Sequence, residues 1–211
     1  MKFIPLCFLI SLLVLFNTKP LQGAEPEPEP VVDIEGNPLQ PEVGYYAWPL
    51  WGNSGGITLG HTRNKTCPLD VILDPKSIGV ALFFTPPVDL GFIPTLTDLT
   101  ISIRILSPCS QYSKIWKTSK VGSELWFVST GGTAGDILSK FKIVNLEGDI
   151  YSFKYCPTKV YGTPCKSVGT FVDTDGTKVL AIGEGIDEPY YVRFHKSSTF
   201  PLRKHQDMSI V

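Results

Sequence analysis

His61, His195 and His205 are the three imidazoles of the 211-residue chain, and none stands where a general base is needed. A serine or cysteine hydrolase would show a nucleophile on a glycine-flanked elbow, and a zinc hydrolase two histidines four apart on a helix. Neither pattern occurs. His195 follows Phe194 at the end of a strand-like run, where a packed or solvated histidine is the expectation. Asp173 and Asp175 have the composition of paired carboxylates for acid–base work, but Gly176 follows at once and the group reads as a hairpin turn. Gly131-Gly132-Thr133-Ala134-Gly135 has the glycine content of a phosphate loop and lacks the closing Gly-Lys-Ser/Thr, so a surface loop is expected. Trp48, Trp51, Trp116 and Trp126 offer faces for a sugar, yet packing in or at the mouth of a core explains them. No catalytic residue, metal-ligand set or cofactor site is expected, and an enzyme is not the reading.

Sulfur chemistry is more informative. Cys7 lies in an apolar leader, leaving Cys67, Cys109, Cys156 and Cys165. An even set of cysteines in an oxidising route suggests disulfides, and the CxxC-like pairs of a zinc site are missing. Of three possible pairings we expect Cys156 with Cys165, nine apart across a Pro/Gly-rich loop, which leaves Cys67 with Cys109. The loop-entropy model assigns those bridges about 2.5 and about 4 kcal/mol.

The leader begins with Lys2 and runs from Phe3 to Phe16, interrupted by Pro5 and Ser11, to small residues at Gly23 and Ala24. It is shorter than the roughly 20 apolar residues that span a bilayer, so residues 1–24 read as a cleaved secretory signal. Residues 25–30, Glu-Pro repeated three times, read as an extended spacer or propeptide. Residues 31–200 form the domain and 201–211 a flexible tail. Without the leader's two lysines the chain keeps 17 basic and 20 acidic side chains. That balance excludes a basic nucleic-acid-binding stripe, and no membrane partner is implied. A secreted monomer is expected, extracellular or apoplastic, with a vacuolar destination as the other possibility.

The elements that must position any surface chemistry are strands. Gly (19) and Pro (18) are abundant, and helical periodicity is missing. Strands are predicted at 45–50, 56–61, 80–84, 99–105, 125–129, 141–146, 150–156, 168–173, 178–182 and 190–196. Thr100, Ser102 and Arg104 alternate with Leu99, Ile101, Ile103 and Ile105, the period of a strand with one buried face. Glu147-Gly148 and Asp175-Gly176 read as hairpin turns. Ten to twelve short strands imply a sandwich or a closed barrel, and periodicity does not choose between them.

A set of ordered motifs does choose. Val31-Val32-Asp33-Ile34-Glu35-Gly36-Asn37-Pro38-Leu39, then Tyr45-Tyr46, resembles the N-terminal signature of the Kunitz soybean trypsin inhibitor family, with Ala47 where an aliphatic residue is usual. Cys67-Pro68-Leu69, Cys109 with Trp116, Phe141-Lys142-Ile143-Val144 and Tyr151-Ser152-Phe153-Lys154-Tyr155-Cys156-Pro157 resemble its later segments. Asp173-Thr174-Asp175-Gly176-Thr177 and Tyr191-Val192-Arg193-Phe194 resemble its late hairpin and last strand. The resemblance covers residues 31–196. It implies an all-β fold, a β-trefoil of about twelve short strands in six hairpins with pseudo-threefold symmetry and two disulfides. It also implies a protease partner, of the serine type.

Family inhibitors present a substrate-like loop, here Thr85 to Ile93. The resemblance places the reactive loop at Pro87, Val88, Asp89, Leu90 and Gly91, with Asp89 at the specificity position and Val88 or Leu90 as the flanking choices. An ionised Asp suits neither a trypsin-like pocket with its own carboxylate nor an apolar one. Trypsin is therefore not the expected target of this loop. Pro41 stands where many members carry a loop-bracing Asn, and Gly91 adds freedom after the cut site, while Pro86-Pro87 stiffens the approach. An alternative reactive loop is Lys159, Val160 and Tyr161 within the Cys156–Cys165 segment, although a simple disulfide with a solvated lysine explains it as well. Asn64-Lys65-Thr66 is a glycosylation acceptor. The rival reading is a non-inhibitory trefoil with a storage, taste-modifying or carbohydrate-binding role.

Overall fold

The computed structural model describes residues 29–51, 55–156 and 165–199. The leader, most of the Glu-Pro spacer, the tail and residues 157–164 lie outside them. Thirteen strands follow one another: β1 Gly44–Pro49, β2 Gly56–Gly60, β3 Asp70–Asp74, β4 Leu82–Thr85, β5 Thr100–Ile103, β6 Lys117–Lys120 and β7 Leu125–Ser129, then β8 Lys142–Glu147, β9 Ile150–Tyr155, β10 Lys166–Ser167, β11 Gly169–Val172, β12 Lys178–Gly183 and β13 Tyr191–Lys196. Short 3-10 turns occupy Ile137–Ser139 and Ser197–Thr199.

Six strands make a ring. β13 pairs with β1, β1 with β4, β4 with β5, β8 with β9 and β9 with β13, all antiparallel. The remaining gap is closed just before β5 and β8, where Leu99 and Phe141 exchange backbone hydrogen bonds of 2.7 and 3.0 Å. Of the other strands, β10 adds to the edge of β9 and the remaining six form hairpins β2–β3, β6–β7 and β11–β12. One strand of each meets the others in a triangle: β3 with β7, β7 with β12 and β12 with β3. A six-strand barrel capped by three mutually paired hairpins is the β-trefoil. Closure removes the exposed edges that an open sheet of such short strands would leave.

The inward phase of the alternation at 99–105 holds, since Leu99, Ile101 and Ile103 are buried; on the other phase Arg104 is exposed, while Thr100 is buried and its hydroxyl accepts from Lys140 Nζ at 2.8 Å. The core is aromatic. Trp116 is wholly buried with ring contacts of 5.9 Å to Phe141 and 5.7 Å to Phe153, and Phe194 meets Phe84 edge-on at 5.5 Å. Ala47, the departure noted in the first strand, is buried in β1.

Two hairpin turns are chemical twins. Asp33 donates its N–H to Asn37 C=O and accepts from Gly36 N–H, both at 2.9 Å, and Asp173 does the same with Thr177 and Gly176. Gly36 (φ +80°) and Gly176 (φ +84°) take the left-handed residue that closes each turn. The β8–β9 turn lies one residue later than expected, at Gly148-Asp149, because a bulge between Asn145 and Glu147 carries the pairing on to Glu147–Ile150.

Candidate functional site

The connection from β4 to β5 carries the expected reactive loop. Its downstream root is fixed by the N-terminal segment: Val31 N–H donates to Ile93 C=O (2.8 Å), Ile93 N–H to Leu39 C=O (2.7 Å) and Leu39 N–H to Val31 C=O (2.8 Å). All three side chains are fully buried. Val31 and Leu39, the two ends of the motif, are thus the foundation of the loop. Thr95 extends the clamp, its N–H donating to Glu29 C=O at 2.7 Å.

Above that root the loop stands out into solvent. Pro87, Val88, Asp89, Leu90 and Gly91 are all exposed, Val88 to 63% and Leu90 to 48%. Among the described residues, the one hydrogen bond made by residues 86–92 runs from Gly91 N–H to Asp89 Oδ1 at 2.9 Å. Gly91 sits at φ +74° with open space around it. Asp89 therefore folds its carboxylate back onto its own loop in an Asx turn, and the outward apolar groups are its two neighbours. Gly91, expected only to loosen the loop, is the donor that closes this turn. Pro41 contributes a half-buried ring and no hydrogen bond to the loop among the described residues.

Both disulfides have the expected pairing, Cys67–Cys109 and Cys156–Cys165. Lys159, Val160 and Tyr161 lie outside the described residues.

Asn64 is exposed on the connection from β2 to β3. Arg63 (φ +55°) and Asn64 (φ +56°) are both left-handed, and Lys65 N–H donates to Thr62 C=O at 3.0 Å. The turn is held from below by Asp70, a buried carboxylate that accepts from Arg63 Nη2 at 2.7 Å and from the hydroxyls of Thr62 and Ser129.

The residues considered for catalysis have local structural duties. His195 packs on Trp48 with ring centroids 4.0 Å apart, and burial pushes its imidazole below the ordinary value. His61 is exposed with Nδ1 3.2 Å from Lys65 O, and His205 lies outside the described residues. The Asp175 carboxylate accepts from Thr177 N–H at 2.8 Å, which holds its pKa low. Of the tryptophans, Trp116 is core, Trp48 and Trp126 are half-buried, and Trp51 is exposed beside Tyr191 at 5.5 Å.

A family model described as legume Kunitz, trypsin and protease inhibitor, matches residues 31–196. The chain belongs to the legume Kunitz inhibitor family. Its relatives include Kunitz trypsin inhibitor 5 of Arabidopsis thaliana, 33% identical over 91% of this chain and 98% of that one. Miraculin of Synsepalum dulcificum is 32% identical over 92% and 95%. The soybean trypsin inhibitor, solved in complex with porcine pancreatic trypsin, superposes with a TM-score of 0.68 over 80% of this chain and 99% of that chain; at 24% identity it speaks for the fold. The family is one of inhibitors rather than enzymes.

Two features had no signal in the motifs. The Asp70 network joins Thr62 and Arg63 to the distant Ser129, and no pattern marks it. Leu106 is fully exposed, two residues beyond the exposed Arg104.

Proposed function

We propose that this chain is a secreted inhibitor of serine endopeptidases that offers the 86–93 loop as a substrate-like segment. The observation that carries the reading is the loop itself: an outward apolar pair, Val88 and Leu90, on an exposed segment whose downstream root is locked by Val31, Leu39 and Ile93. A rooted, exposed segment has less freedom to lose when it enters a cleft. The Asp89 carboxylate disfavours a trypsin-like pocket, whose own carboxylate would face it in a desolvated site. A subtilisin-like protease that accepts an apolar or an Asp side chain fits the loop.

The test is a panel of trypsin, chymotrypsin and subtilisin titrated with the oxidised protein. Stoichiometric inhibition of subtilisin, lost in the Val88→Asp/Leu90→Asp variant, is the expected result. Subtilisin inhibition that survives this variant, or rapid degradation of the protein, would refute the assignment of the loop. One observation favours a second reading, a non-inhibitory trefoil: among the described residues, a single hydrogen bond orders residues 86–92. Miraculin, similar along nearly the whole chain, bears a name that is not an inhibitor's. Inertness toward every member of the panel would favour that reading.

A further inference from the structure

A surface cavity of about 220 Å³ lies where β1 ends and β13 begins. Its aromatic and apolar lining includes Pro49, Trp51 and Tyr191, and its polar lining Thr170, Lys178, Asp187 and Glu188. Backbone pairing fixes both groups. Leu50 N–H donates to Tyr191 C=O at 2.9 Å and Pro49 pairs with Val192, so Trp51 follows an anchored strand end. Residues 187–190 run beside β11. Asp187 N–H donates to Thr170 C=O (2.9 Å), Thr170 N–H to Glu188 C=O (3.3 Å) and Tyr190 N–H to Val168 C=O (2.9 Å). Gly169 permits that approach, because a Cβ there would sit 2.5 Å from the Glu188 carbonyl oxygen.

The side chains of the lining are uncommitted. Trp51 packs against Tyr191 with ring centroids 5.5 Å apart and still leaves 57% of its surface exposed. Among the described residues, the Lys178 ammonium and the Glu188 carboxylate enter no hydrogen bond or ion pair. The Asp187 carboxylate receives one long hydrogen bond, from the Thr170 hydroxyl at 3.4 Å. A lone exposed tryptophan needs no function. Here an aromatic ring, two carboxylate acceptors and an ammonium donor share one hollow.

We infer that this hollow is a binding site for one neutral pyranose ring. A sugar matches each part of the lining: its C–H face packs on an aromatic ring, and its hydroxyls both donate and accept. Asp187 and Glu188 accept from those hydroxyls, and Lys178 Nζ donates to them. The ammonium in the lining disfavours a cationic ligand, and the two carboxylates disfavour an anionic one. The volume is below the roughly 300–1,000 Å³ of drug-sized sites, which suits a single ring. The site stands apart from the 86–93 loop. β4 pairs with β1 through Gly44–Phe83 and Tyr45–Leu82, so the loop after β4 lies beyond the start of β1, and Trp51 beyond its end.

The test is saturation-transfer NMR of the oxidised protein with methyl β-glucoside, methyl β-galactoside and methyl α-mannoside. At least one glycoside should bind with a dissociation constant of about 0.1–10 mM, ordinary for a single ring. Trp51→Ala should weaken that binding about tenfold or more, and Glu188→Ala about fivefold. Trp51→Tyr keeps a flat ring and should stay within about threefold of the parent. All three variants should keep the parent's circular dichroism and its response to the protease panel, so the outcome here is separate from that of the inhibitor reading. The inference is overturned if none of the glycosides binds, or if binding survives Trp51→Ala unchanged. Trp51→Tyr losing as much as Trp51→Ala would also overturn it, since stacking asks only for a ring. Binding of Nα-acetyl-lysine methyl ester in place of every glycoside would mark a cation site and sink the sugar assignment.

Discussion

Arg63 and Asp70 form an ion pair at 2.7 Å in which the carboxylate is 3% exposed and the guanidinium 21%. The pair ties the β2–β3 turn to the cap, since Ser129 of β7 donates to the same carboxylate. Removing one member of a buried pair leaves the other uncompensated, at a cost of about 3–5 kcal/mol. Asp70→Ala should therefore lower the unfolding free energy by about that amount in urea titrations. A loss under about 1 kcal/mol would show that the network is dispensable.

Asp89 is expected to govern how long the loop survives. Asp89→Asn keeps an oxygen acceptor for the Gly91 N–H, whereas Asp89→Ala removes it. Incubated with subtilisin, Asp89→Ala should be cut within residues 87–91 faster than Asp89→Asn, as followed by mass spectrometry. Equal rates would mean that the turn does not order the loop.

Why parts of this molecule were legible and others were not follows from where the information lies. Strands with one buried face announce themselves by alternation, as at 99–105. β6, Lys-Thr-Ser-Lys, carries no apolar residue and is a strand only because β7 pairs with it. β3, Asp-Val-Ile-Leu-Asp, is a continuous apolar run between acids, flanked by three partner strands, and shows no period. β10 is two residues on the edge of β9. At the site, Gly91 could be read as free but not as a donor, because whether the Asp89 side chain turns back onto its own loop depends on a rotamer that residue type alone does not fix. The Val31–Leu39–Ile93 clamp likewise joins segments more than 50 residues apart, which spacing along the chain does not express.

The two disulfides should contribute unequally. Cys67–Cys109 closes 42 residues and Cys156–Cys165 nine. On the loop-entropy model, replacing both cysteines of the first bridge by Ser should cost about 4 kcal/mol, and of the second about 2.5 kcal/mol. Denaturant midpoints of the two double variants test the order. A more damaging loss from the short bridge would show that its loop is structural in its own right.

Acid should weaken the fold partly through His195. Burial against Trp48 holds its imidazole below the ordinary value of 6.5. The neutral ring is thus favoured in the folded state, so its contribution is fully present above pH 6.5 and is lost as pH falls through the lowered value. His195→Phe retains a ring on Trp48 and cannot take up a proton. Between pH 7 and 5 the parent's melting temperature should fall more than the variant's. Parallel curves would remove His195 as a cause. At the other extreme burial raises the Tyr190 phenol, whose hydroxyl donates to Gly55 C=O at 3.0 Å. Stability from its neutral form persists below the ordinary value near 10 and is lost only as pH rises beyond it.

Asn64 is expected to carry a glycan when the chain passes through a secretory route. Its side chain is exposed on the tight Thr62–Lys65 turn. The left-handed backbone at Asn64 suits Asn better than most residues, so sequon and turn agree on the same residue. Digestion of the secreted protein with an N-glycosidase should reduce its mass, and Asn64→Gly should abolish the shift while changing stability by less than about 0.5 kcal/mol. Asn64→Val should also abolish the shift and in addition cost about 1–2 kcal/mol, because a β-branched side chain is strained at that φ. A secreted protein whose mass equals that of its bare polypeptide would refute the modification, and equal stability of the Gly and Val variants would refute the account of the turn.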